Sequence, residues 1–106
     1  MKEVEKQVMG LISSAGASRS LAFEALAKVK SKDYDGARDL IKKAKEADVE
    51  AHNIQTKLIQ KELNADTENK DEMSLLMVHA QDHYMTAQLA RDLIEEFIEI
   101  FESREA

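Results

Sequence analysis

The sequence has no cysteine and no proline, and only three glycines, Gly10, Gly16 and Gly36. Without cysteine there can be no disulfide, no thiolate metal site and no cysteine nucleophile. So few turn formers argue against a β-rich or loop-rich fold. No apolar run approaches the roughly 18–20 residues needed to cross a bilayer. Residues 1–10 carry Glu3 and Glu5 where a signal peptide needs a basic and then an apolar stretch. A basic surplus is missing too. The formal net charge is −6, which disfavours nucleic-acid backbones and anionic membranes. The expectation is a cytoplasmic protein with no nucleic-acid partner and no direct membrane insertion.

What is present favours helix. Ala, Leu, Glu, Lys, Gln and Met dominate, and these residues lose little entropy in a helix. A length of 106 residues fits a single domain with a thin core, to which partner subunits can add stability. Two polar breaks divide the chain. The first, residues 31–36, offers Ser31, Asp33 and Asp35 as helix caps. The second, residues 64–71, is a run of cap-type and charged residues. Three segments of roughly 30 residues lie around them, at about 3–31, 34–63 and 71–103, each about 45 Å long at the helical rise. Short connections between long helices predict an all-α, up-down-up antiparallel three-helix bundle.

In the first segment Val4, Val8, Leu11, Ala15, Ser18, Ala22, Ala25 and Val29 recur at steps of three and four. Ala37, Leu40, Ala44, Ala47, Ala51, Ile54 and Leu58 do so in the second. The third segment has two adjacent stripes. One is Leu76, Ala80, His83, Ala87, Ala90, Ile94, Phe97 and Phe101; the other is Leu75, His79, Asp82, Thr86, Leu89, Leu93 and Ile100. Together they form a face wider than a three-helix subunit needs. A large exposed apolar stripe is a liability for a monomer, so the second stripe is expected to pack against another subunit in a closed symmetric assembly.

The chemistry sits in residues 77–86. His79 and His83 are one helical turn apart, and Asp82 follows His79 by three residues. The spacing gathers these side chains on the helix surface, within an apolar face where ionisable groups are seldom idle. His52, on the second segment, lacks an acidic partner of this kind and reads as a packing residue. The cluster admits three readings. It can be a hydrogen-bonded structural group. It can ligate a metal, as in a metal-dependent hydrolase using His79, Asp82 and His83. Or a neutral imidazole can act as a nucleophile and carry a phosphoryl group on nitrogen. In the last case Gln81, Thr86 and His83 are local donors for the phosphoryl oxygens. Copies of Asp82 meeting on a symmetry axis would need a cation or a shared proton, and Mg²⁺ is the hard ion such oxygens prefer. A non-catalytic interaction or regulatory bundle is the remaining alternative.

The stretch Val78-His79-Ala80-Gln81-Asp82-His83, followed by Met85-Thr86-Ala87 and Leu89-Ala90-Arg91-Asp92-Leu93-Ile94, resembles enzyme IIA of the lactose/cellobiose class of the bacterial phosphoenolpyruvate-dependent sugar phosphotransferase system. Val8-Met9-Gly10-Leu11-Ile12 with Gly16 and Arg19-Ser20-Leu21-Ala22 resembles its first helix, and Ala51-His52 with Gln55-Thr56-Lys57-Leu58-Ile59 its second. Tyr84 departs from the pattern, standing where an aliphatic residue is common, and the loop at 65–71 is this chain's own. The resemblance implies a homotrimer of three-helix subunits. It implies that His79 accepts a phosphoryl group from HPr and passes it to a cysteine of enzyme IIB. It implies that Asp82 binds Mg²⁺ at the trimer axis, and that Gln81 and His83 support the phosphoryl pocket. The sugar would be of the lactose, cellobiose or chitobiose type. Met77, Ala80 and Tyr84 are expected to form an apolar rim for transient docking.

Overall fold

In a computed structural model of the chain, residues 2–64 and 74–105 are described. Among these residues the structure is all helical, with α1 spanning Glu3–Lys30, α2 Tyr34–Asn64 and α3 Leu75–Ser103. The molecule is a rod of 60 × 23 × 20 Å. The expected start of the third helix at 71 lies outside the described residues.

The ends of the helices follow local chemistry. At the end of α1 the backbone turns through Lys32, whose φ is 63°. Asp33 N–H donates to the Lys28 carbonyl and Lys32 N–H to that of Val29, which closes the last turn in a Schellman arrangement. Of the three expected caps, Asp33 opens α2, because its Oδ1 accepts the Gly36 N–H at 3.0 Å. Ser31 instead ends α1, donating to the Lys28 carbonyl, and Asp35 pairs with Arg38. Ser74 caps α3 through the Met77 N–H.

The core is thin and alanine-rich. Ala15, Ala22, Ala25, Ala37, Ala44, Ala51 and Ala80 are wholly buried, which lets the helix axes approach closely. The expected α1 stripe is buried from Val8 to Val29, with Val4 at its margin. The other two stripes need correction. On α2, Ile41 and Asp48 are buried where Leu40 and Ala47 were expected, and the latter two are only half-buried. On α3 the buried line runs Ala80, Tyr84, Ala87, Ile94 and Ile98, with Arg91 largely covered. Each buried line alternates steps of three and four, the spacing of a left-handed helix seam. The expected stripes fell one residue before this seam at Leu40, Ala47, His83, Ala90 and Phe97, where Ile41, Asp48, Tyr84, Arg91 and Ile98 occupy it.

Two apolar clusters result. Val8, Leu11, Ala15, Ala51, Leu58, Ala80, Tyr84 and Ala87 form one, and Ala22, Ala25, Val29, Ala37, Ile41, Ile94 and Ile98 the other. Ser18, Asp48 and Arg91 fall between them on α1, α2 and α3. Arg91 Nη1 forms an ion pair with Asp48, which is 5% exposed. Asp48 Oδ1 and Ser18 Oγ in the same layer have no hydrogen-bond partner.

Candidate functional site

The site lies on the N-terminal half of α3, in the half of the rod that holds the first cluster. His79 is exposed and His83 half-buried. Their rings meet edge to face, with centroids 4.4 Å apart and planes at 75°. The helical turn thus brings together the two histidines that the spacing selected. His79 stands open to a visiting protein, with Leu75 85% exposed one turn before it. Asp82 is also exposed, and its carboxylate makes no ion pair or hydrogen bond among the described residues. Thr86, an expected donor, gives its hydroxyl to the backbone carbonyls of Asp82 and His83 at 2.7 and 3.3 Å. That hydroxyl is therefore occupied within its own helix.

Gln81 is not brought to His79 within the chain. Residues two apart on a helix point about 200° apart. Gln81 turns instead toward α2, where its Oε1 accepts from Gln55 Nε2 at 2.8 Å. There it lines an apolar groove of 270 Å³ with Leu58, Ile59, Glu62, Leu63 and Met77. The expected docking rim needs correction as well. Ala80 and Tyr84 are 0% and 3% exposed and belong to the core. The exposed apolar side chains near the site are Leu75, Leu76, Val78 and Met85.

Tyr84 explains His52. The phenol oxygen lies 3.2 Å from His52 Nδ1, so a buried hydroxyl is satisfied by an imidazole at the surface. Burial raises the ionisation of Tyr84 above the ordinary tyrosine range, and the charge of Asp48 adds to this; Arg91 and a hydrogen bond from Gln88 pull the other way. The α2–α3 seam is thus a ladder of polar links, Asp48–Arg91, His52–Tyr84 and Gln55–Gln81. Sequence periodicity missed this ladder because its stripes ran through Ala47, His83 and Ala90, one residue before Asp48, Tyr84 and Arg91. The signal it left was a charged or polar residue at a seam position on each helix.

The second α3 stripe is exposed throughout. Leu75, His79, Asp82, Thr86, Leu89, Leu93 and Ile100 all face outward, and Phe97 and Phe101 border them at 40% and 47% exposure. Beside it a groove of 390 Å³ is lined by Leu26, Phe97, Ile100, Phe101 and Arg104. As for a metal, no group of three or more His, Asp or Glu residues among the described residues could hold one within a single chain. One chain contributes the lone Asp82 carboxylate. That is a suitable hard-oxygen donor for Mg²⁺ only when copies of it are brought together. No helix among the described residues is long and apolar enough to cross a membrane.

Known proteins resemble this chain in sequence and in fold. The family model described as the lactose/cellobiose-specific IIA subunit of the phosphotransferase system matches residues 6–102. The N,N'-diacetylchitobiose-specific IIA component of Escherichia coli K12 is 46% identical over 105 residues, covering 99% of this chain and 88% of that one. Among solved structures, the cellobiose-specific enzyme IIA of Bacillus anthracis superposes with a TM-score of 0.91 at 41% identity, over 99% of this chain and 94% of that one. The chitobiose IIA of Escherichia coli, solved in complex with HPr, superposes with a TM-score of 0.82 at 44% identity, with both chains covered in full.

Proposed function

This chain belongs to the lactose/cellobiose-specific IIA family of the phosphotransferase system, and we propose that His79 is its phosphoryl acceptor, charged by HPr and discharged to enzyme IIB. The sugar served is of the chitobiose, cellobiose or lactose type, as in the relatives. The observation that carries the reading is the state of His79: an exposed imidazole on a rigid helix, against a second imidazole, in a chain that matches IIA proteins along its length. A structural histidine would be satisfied as His52 is, by a fixed buried partner.

The transfer needs little covalent work from the protein. A lone pair on the His79 imidazole forms the new P–N bond as the P–N bond of the donor phosphohistidine breaks, and that electron pair returns to the donor ring. Positioning and charge stabilisation carry the rate. His83, one turn on, can hold the His79 ring in place and present an N–H to a phosphoryl oxygen. Discharge repeats the in-line displacement with a cysteine thiolate of enzyme IIB as nucleophile. Gln81 can support the phosphoryl group only from a neighbouring copy, since its own helix turns it away from His79.

A homotrimer gives the exposed α3 stripe its cover. In a three-fold assembly Asp82 of each copy would hold Mg²⁺ near the axis, and the ion would neutralise carboxylates that otherwise repel one another. The test of the acceptor uses phosphoenolpyruvate, enzyme I and HPr with the purified protein. An acid-labile phosphate is expected on the wild type and none on His79→Ala; a labelled His79→Ala protein refutes the assignment. The metal-dependent hydrolase has no support in the geometry, because the described residues offer no three-group site in one chain.

A further inference from the structure

We propose that His79 and His83 together form a chelate for a borderline divalent cation such as Zn²⁺, Ni²⁺ or Cu²⁺, and that an ion held there stops His79 from accepting phosphorus. The second half of this statement rests on the acceptor role argued above; the first half does not.

Two histidines at i and i+4 on one helix face are a recurrent half-site for zinc, because the helical repeat stacks both rings over one surface patch. Here the two rings share one patch and meet edge to face, 4.4 Å between centroids. Two imidazoles sharing one tetrahedral zinc stand about 5 Å apart, given a Zn–N bond of about 2.1 Å. Forming the chelate therefore requires the exposed His79 ring to move so that one nitrogen of each ring faces the ion. Neither ring is sequestered by another partner: apart from their mutual contact, neither side chain has an ion pair or hydrogen bond among the described residues. The setting favours a cation, since the chain carries a net charge of −6 and the unpaired Asp82 carboxylate is exposed one turn from His79. Two nitrogens and solvent make an open, exchangeable site, unlike the closed four-ligand sites that stabilise folds. Imidazole nitrogen prefers zinc, nickel and copper, while the Asp82 oxygen prefers magnesium. The two metals therefore address different atoms of the same surface.

The consequence for chemistry is direct. The lone pair that would attack phosphorus is the one a metal ion occupies. A His79 whose lone pair is held by the ion cannot form the P–N bond until the ion leaves.

Titration of the full-length protein with zinc chloride, by calorimetry and by the imidazole signals in NMR, decides the first half. One ion per chain is expected, with His79 and His83 ring signals moving together and that of His52 unmoved. Loss of an outer-shell partner alone weakens metal sites about 10–100-fold, so His79→Ala and His83→Ala should each weaken zinc by at least about tenfold. His52→Ala should bind zinc as the wild type does. Equal zinc affinity in the double variant His79→Ala/His83→Ala would overturn the site. The second half is read as the rate of phosphate uptake from phospho-HPr with and without zinc. Zinc should slow the wild type, a chelator should restore it, and His83→Gln should lose the sensitivity relative to its own metal-free rate. Zinc-saturated wild type labelled as fast as metal-free protein would overturn the second half. Absence of labelling in metal-free protein would remove the acceptor role alone, since the zinc titration decides the chelate without it.

Discussion

Replacing Arg91 with methionine tests the polar layer between the two apolar clusters. Arg91 and Asp48 have side chains 13% and 7% exposed, so their pairing is made where water screens poorly. Arg91→Met keeps the length of the side chain but strands the Asp48 carboxylate, whose Oδ1 already has no partner. Removing one member of a buried pair costs about 3–5 kcal/mol. At about 4–8 °C per kcal/mol for a chain of roughly this size, a loss of about 3 kcal/mol lowers Tm by about 12–24 °C. The converse change is milder. In Asp48→Leu the guanidinium keeps its contacts to the exposed Asp92, at 3.2 and 2.9 Å, and reaches water through them. A cost of about 1–2 kcal/mol is expected there. The double variant Asp48→Leu/Arg91→Met should recover most of the Arg91→Met loss, because apolar replacement of a buried pair is often neutral or stabilising. The assay is urea and thermal denaturation followed by circular dichroism, with protein concentration fixed so that assembly does not shift the midpoint. If Arg91→Met costs less than Asp48→Leu, or the double variant shows no recovery, the stranded-charge reasoning is wrong.

Four further outcomes follow from other features. Tyr84→Phe should lose about 1 kcal/mol at neutral pH with the His52 hydrogen bond; because the folded phenol ionises above the ordinary value of about 10, the wild type sheds more stability than the variant as pH rises past that value, so urea midpoints of the two proteins should converge in alkali. Lys32→Gly should stabilise by about 0.5–1 kcal/mol, since glycine removes the side-chain cost of a φ of 63° and gives up only the exposed pair with Glu105. Gly36→Ala should cost about 1 kcal/mol in thermal denaturation, because the new Cβ would lie 2.8 Å from Asp33 Cγ and displace the carboxylate that caps α2. Asp82→Leu should keep or strengthen self-association, measured by sedimentation, because in the proposed trimer an apolar contact would replace like charges facing one another; a shift to monomer would mean that the ion proposed at Asp82 is required for assembly.

The fold was legible because helical period and local chain-breakers both survive in sequence. The α1 stripe was read almost intact, since Val8 to Val29 are small or aliphatic apart from Ser18. On α2 and α3 the expected stripes slipped by one residue at Leu40, Ala47, His83, Ala90 and Phe97. Asp48 and Arg91 each hold a seam position, and the stripes took the alanine before it, Ala47 or Ala90, instead. Tyr84 was misjudged for a related reason. A tyrosine beside the histidines looks like a docking residue until the phenol is seen turned inward onto His52.

The site was legible where helical geometry alone decides it, and illegible where a second chain element does. His79 and His83 come together because residues four apart on any α-helix do. Gln81 sits in the same motif, yet its direction follows from its place two residues along, and its partner Gln55 belongs to another helix. A motif therefore groups residues that a helix then separates onto opposite faces. Gln81 faces α2, while His79 and Asp82 lie on the stripe that this chain leaves uncovered. For Gln81 and His79 to serve one phosphoryl group, two copies of the chain must meet at that stripe. Removing the amide in Gln81→Ala should therefore slow phosphate uptake only if a neighbouring copy brings Gln81 to His79, and an unchanged rate would leave Gln81 as the α2 partner of Gln55 alone.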